Sequence, residues 1–245
     1  MRHITHYIAS KQKEFATHPF FKRFSADDPR ANALDSAAGL TFWVFTFQDV
    51  LRLNEARISD PALQAIARHH SQEDSGHEAW FAEDIAAIDP APRDLGWLFG
   101  RHHAQTRDAS YALIAEVFGA SDDYERIVLL LTLESAGHVF FERVADYVDR
   151  IDPNTTLRYF SRWHLDVEKD HELFEAELGD LLNVELDSQV AARNIALIDR
   201  CYEAFTNLFT GLEARLVRRA GGISSIAAPA LPSSSPAVTL TSVAD

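Results

Sequence analysis

Two stretches far apart in the chain carry one pattern: His70-x3-Asp74-x2-His77 in HHSQEDSGH, and His164-x3-Glu168-x2-His171 in HLDVEKDH. At about 100° per residue, positions i, i+4 and i+7 fall within roughly 60° of arc, so each triplet predicts a helix with two imidazoles and a carboxylate on one face. A third segment, LTLESAGHVFF, sets Glu134 and His138 four residues apart in the same relationship. Apolar residues continue each stripe: Leu63, Ala67 and Phe81 around the first, Ile127, Leu131, Phe141 and Ala145 around Glu134, and Leu157, Phe160 and Phe174 around the last. Such faces point into a core, so the titratable groups are expected to be buried.

Burying several carboxylates is costly unless they take up protons or a cation stands among them. Helical bundles build non-haem metal sites from inward carboxylates and imidazoles of this kind. The plainer alternative is a hydrogen-bonded network of histidines and acids with no metal. The donors His70, Asp74, His77, Glu134, His138, His164, Glu168 and His171 include no thiolate, which disfavours structural zinc and cluster iron. They suit Fe(II), with Mn(II) as the alternative, and positions left open for dioxygen and a substrate. So many donors are enough for two ions, and a dimetal site is the first expectation.

Composition narrows the setting. At 245 residues, 47% of them hydrophobic, one sizeable domain is expected. No apolar run approaches the roughly 18 residues that cross a bilayer, and MRHITHYIASKQKEF lacks the apolar stretch of a signal peptide. With Cys201 as the single cysteine, a soluble cytoplasmic protein without disulfides or a membrane partner is the expectation. A net charge of -14 argues against nucleic acid, and Arg215, Arg218 and Arg219 read as the closing turns of a helix.

Glycine and proline are sparse up to residue 219, and the pattern between them predicts an all-α bundle of about seven helices. These are expected at about 3–16, 31–56, 60–88, 94–118, 121–151, 155–182 and 189–219. Asp60 is the N-cap of the third with Pro61 at its first position, and Ser121 caps the fifth. Residues 1–220 form one domain, and 221–245, rich in Ser, Ala and Pro, read as a disordered low-complexity tail. Phe42, Trp43, Phe45 and Phe47 make the second helix aromatic and are candidates for a substrate pocket, against the simpler reading of core aromatics. Arg68 and Arg162 lie near the triplets as candidates for a substrate carboxylate or for charge balance.

These residues resemble the haem-oxygenase-like dimetal oxidases and oxygenases over most of residues 10–215. ATHPFFKRF is similar to the entry segment of that fold and its thiaminase-like relatives, and HLDVEKDH matches the pattern of its third core helix. The resemblance implies a haem-oxygenase-like bundle and metal ligands at His77, Glu134, His164, Glu168 and His171. It also implies a non-haem iron enzyme that activates dioxygen to oxidise a small organic molecule; whether an external electron donor takes part is left open. One position departs: His70 stands where dimetal members carry glutamate, which removes a negative charge and leaves open a single-iron site. Asp74 or Glu73 can compensate. His138 is either a ligand or a hydrogen-bonding partner that orients a carboxylate. A homodimer is the default for an oxidase of this size.

Other members of the fold fit less well. Haem oxygenase needs a proximal histidine near the N-terminus and a glycine-rich helix over the haem, and LESAGHVFF offers only two small residues there. A thiaminase-like enzyme needs a nucleophilic cysteine, whereas Cys201 in DRCYEAF lacks an evident activating partner. A ferritin-like store uses Glu-x2-His pairs from a four-helix bundle, and the spacings here differ: Glu168-x2-His171 alone matches, inside a longer His-acid-His triplet. A non-redox member that keeps the cavity as a small-molecule binding site is the remaining alternative.

Overall fold

The computed structural model describes residues 1–25, 33–91, 93–170, 179 and 181–220. Among the described residues there are nine α-helices and no strand. Helix α1 (Arg2–Phe15) is followed by two 3-10 segments, Pro19–Ser25 and Ala33–Leu40, and then α2 (Thr41–Glu55). Helices α3 (Pro61–Glu73) and α4 (His77–Ile88) come next, followed by the single turn α5 (Leu95–Leu98) and α6 (Ala104–Gly119). The long α7 (Asp123–Ile151), the shorter α8 (Arg162–Asp170) and the long α9 (Ser188–Ala220) complete the chain. None of them is long and apolar enough to cross a membrane. The tail 221–245 lies outside the described residues.

The two long helices organise the packing. Helix α9 lies against α1, α6 and α7, and α2 bridges α6 to α3. Apolar stripes explain the contacts: Leu197, Cys201, Phe205, Leu208 and Leu212 of α9 are all at most 3% exposed. They meet Val128, Leu133, Ala136 and Val144 of α7 in the main core. A smaller cluster joins Leu51, Leu63, Ile66, Ala67, Ile127 and Leu130, which seats α3 against α2 and α7. Each of the Val, Leu, Ile and Phe side chains among them contributes about 1.5–3 kcal/mol by leaving water.

Local signals set the helix ends. The Asp60 carboxylate accepts from the backbone N–H groups of Ala62 and Leu63, with Pro61 at the first helical position, as the sequence predicts. The cap of α7 is Asp122 rather than Ser121: its side chain accepts from Glu125 N, while Ser121 N donates to the Glu125 carboxylate.

Three predicted helices are divided. The aromatic second helix begins at Thr41, after a 3-10 stretch, and the 94–118 region is split by the 3-10 turn Arg101–His103. The predicted 60–88 helix breaks at Asp74-Ser75-Gly76. Gly76 has φ +100°, a left-handed conformation that glycine adopts without steric cost, and α4 restarts at His77. The sixth helix begins at Arg162, not 155. Asp84, 3% exposed on α4, accepts from the backbone N–H groups of Arg158 (2.9 Å) and Phe160 (3.1 Å), which satisfies them outside any helix.

Candidate metal centre

The break at Gly76 overturns one geometric expectation. His70 closes α3, Asp74 is its C-cap and His77 opens α4, so this triplet is not a stripe on one helix. The three groups still meet, because the turn folds His77 back: its Nδ1 is 3.2 Å from Asp74 Oδ1. The same nitrogen is 3.2 Å from Nε2 of His164 on α8. His70 Nε2 pairs with Glu134 Oε1 of α7 at 2.6 Å. Burial pushes the Asp74 carboxyl above its usual range, against the pull of His77, and the Glu134 charge pushes it further.

The tautomers follow from the partners. His164 Nδ1 lies 2.9 Å from the carbonyl oxygen of Tyr159, which only accepts, so Nδ1 carries the hydrogen and Nε2 presents a lone pair. His77 Nδ1 therefore faces two acceptors, a nitrogen lone pair and a carboxylate oxygen. It meets them either with its own proton or by sharing a cation with them. Donors about 2.1 Å from one ion stand about 3.0–3.4 Å apart when adjacent, a range that includes both 3.2 Å separations. Each of the two separations, taken as a pair, and the imidazole and carboxylate donor types are compatible with a divalent metal.

Both groups line a cavity of about 480 Å3. Asp74, His77, Glu78, Glu134 and His164 are on its wall, with Trp43, Phe47, Phe140, Phe141, Phe205 and Phe209 supplying the apolar surface. Among the described residues that line it, none is Lys or Arg. Of the aromatic candidates, Trp43 and Phe47 face the cavity. Phe42 and Phe45 do not: helical rotation turns Phe42 onto Phe99 and Tyr111, and Phe45, 49% exposed, packs on Phe81 from outside.

The remaining candidates are placed as follows. His138 is exposed at the cavity wall and holds no carboxylate among the described residues. Glu73 pairs with His69 at 3.0 Å instead of joining the cluster. Arg68 binds Glu55, and Arg162 binds Asp146 and Asp149, so both balance local acids. Glu168 lies on α8, one turn after His164, while His171 is outside the described residues. Among the described residues alone, no three His, Cys, Asp or Glu side chains form a group able to hold an ion.

Three supporting residues carry no motif in the sequence. Gln48 donates to both the carboxylate and the backbone carbonyl of Asp74 and so fixes the turn. Asp84 anchors the 158–160 loop, whose Tyr159 carbonyl orients His164. Trp80 packs on the His77 ring at 4.4 Å. Cys201 is fully buried, and burial pushes its thiol far above the ordinary range, opposite to what a nucleophile requires.

No protein-family model and no curated protein matches this chain.

Proposed function

We propose that the protein is a non-haem iron oxidase or oxygenase of the haem-oxygenase-like kind, which oxidises a small, largely apolar molecule in the aromatic cavity. The observation that carries this reading is the meeting of Asp74, His77 and His164 at one nitrogen, beside the His70–Glu134 pair, on a wall with no Lys or Arg among its described residues. A bound ferrous ion, or two, supplies the electrons that dioxygen activation needs. Glu168 and His171 complete the ligand set by the resemblance, and manganese is the alternative metal.

The chain's own residues do the rest. Tyr159 O holds His164 in one tautomer, Gln48 holds Asp74, and His77 would offer Nδ1 to an ion with its ring proton on Nε2. Trp43, Phe47, Phe140, Phe141, Phe205 and Phe209 exclude water from the reacting face.

A second reading, a non-redox small-molecule binding protein, draws on the direct His70–Glu134 and His77–His164 contacts, which close the polar network by hydrogen bonds alone. Anaerobic loading with Fe(II), elemental analysis and stopped-flow absorption on mixing with oxygen separates the two. Retained iron with an oxygen-dependent transient band supports the oxidase, and its stoichiometry tells one ion from two. No retained iron, or a spectrum indifferent to oxygen, favours the binding protein.

A further inference from the structure

The His77 ring does not end in the core. Trp80 stacks on it with centroids 4.4 Å apart, and Trp163 meets Trp80 edge-on at 4.6 Å. Trp163 is 44% exposed and lines a surface hollow of about 420 Å3 together with Thr155, Thr156, Arg158 and Arg162. Two oxidisable indoles thus run in van der Waals contact from the candidate metal centre to solvent. Tyr159, the other oxidisable ring beside the centre among the described residues, is 4.9 Å from His164 and buried, and its described ring contacts are Phe81, Phe141 and Phe160, which are hard to oxidise.

Arg158 adds a direction. Its guanidinium lies over both indoles, 4.8 Å from the Trp80 ring and 4.6 Å from that of Trp163. A cation in that position stabilises the intact rings and disfavours positive charge on either of them. An indole that loses an electron must then shed its N–H proton, and Trp163, open to water, is the one placed to do so.

We propose that Trp80 and Trp163 form an electron relay between the centre and the surface hollow, where a one-electron reductant of the ascorbate or thiol class is consumed. The proposal rests on the redox reading of the centre. In each event one electron passes from Trp163 through Trp80 to the oxidised site, and the Trp163 N–H proton goes to water. The reductant then returns one electron and water one proton, so that only the reductant is oxidised. The relay protects the protein when the cavity holds no substrate.

Two measurements on the full-length chain test it. In the first, Fe(II)-loaded protein is exposed to oxygen without substrate or reductant, and oxygenated tryptophans are quantified by peptide mass spectrometry. Trp163 is expected to be modified well above Trp97, and Trp80→Phe to lower Trp163 modification, normalised to the iron each protein retains, to the level of Trp97. The second needs no metal: a ruthenium photosensitiser on Thr156→Cys oxidises the surface by flash quench, and Trp80 modification is compared with and without Trp163→Phe. Loss of Trp80 modification in that variant supports the relay. Undiminished Trp80 modification, or undiminished Trp163 modification in the iron-loaded Trp80→Phe protein, overturns it. Coupling in the photochemical measurement with no iron-dependent oxidation of any tryptophan sustains the path between the indoles and overturns the redox reading of the centre.

Discussion

His77 Nδ1 and His164 Nε2 lie 3.2 Å apart, although 87 positions separate the residues in the chain. The contact joins the start of α4 to the start of α8, each placed by a different device: the glycine turn before His77 and the Asp84-anchored loop before His164. Because His77 Nδ1 also faces Asp74, the contact gathers three polar groups at one point of the cavity wall.

On the proposed metal reading, removing either imidazole takes away a donor along with its contacts to Trp80, Phe141 or Tyr159. His77→Ala and His164→Ala are each expected to weaken Fe(II) binding by more than the about 10- to 100-fold that loss of a supporting partner costs. Metal analysis after gel filtration measures this, with far-ultraviolet circular dichroism unchanged. Iron stoichiometry equal to that of the parent protein would remove these residues from the ligand set.

Iron affinity should rise with pH. Burial pushes the Asp74 carboxyl above its usual range, and it must lose its proton before it can serve as a ligand. Competition titrations with a chelator of known affinity, run across the mildly acidic to neutral range, give the slope. A flat profile would remove the Asp74 carboxylate from the ligand set.

Gly76→Ala isolates backbone strain. Nothing lies within 4 Å of an added Cβ, so the cost comes from holding φ at +100°. That is about 1–2 kcal/mol of stability in denaturant unfolding, together with weaker metal binding as the turn relaxes. A variant as stable as the parent protein would show that the turn takes another conformation in solution.

Asp84→Ala leaves the N–H groups of Arg158 and Phe160 without their acceptor. The expected loss is about 1–3 kcal/mol for each such group that stays buried, with Asp84→Asn losing less because one acceptor oxygen remains. Urea midpoints of the three proteins order them. Equal midpoints would mean that other groups hold the loop.

Away from the cavity, His103 reports on pH. It packs on Trp97 at 3.9 Å and accepts from Arg215, and burial, with Arg215 and the nearby Arg107, lowers it from 6.5 to about 3. The unfolded chain takes up this proton near 6.5 and the folded protein only near 3. Stability from this group is therefore complete above the unfolded value and is lost as pH falls, by about 1.4 kcal/mol per pH unit within that window. Midpoints measured from pH 7 to 4 should show a slope shallower by one proton in His103→Gln.

The helical class, the Asp60-Pro61 start of α3 and the end of α7 at Ile151 are legible in the sequence because each depends on residues within a few positions of one another. The break inside HHSQEDSGH is not. The stripe His70, Asp74, His77 is as regular as a helix requires, and only a left-handed Gly76 shows that the backbone turns there. Phe42, Trp43, Phe45 and Phe47 are equivalent as a composition, and the rotation of α2 against its neighbours sorts Trp43 and Phe47 inward. Gln48 and Asp84 bear no motif at all, since a lone amide or carboxylate gains meaning only from the backbone it meets.

By itself the sequence determined which donors are available and that they travel on helices, because side-chain type and helical period are local properties. The tertiary structure decided which of them meet. His77 reaches His164, His70 reaches Glu134 and Glu73 turns away to His69, because such encounters depend on turns and loops held by hydrogen bonds between segments distant in the chain.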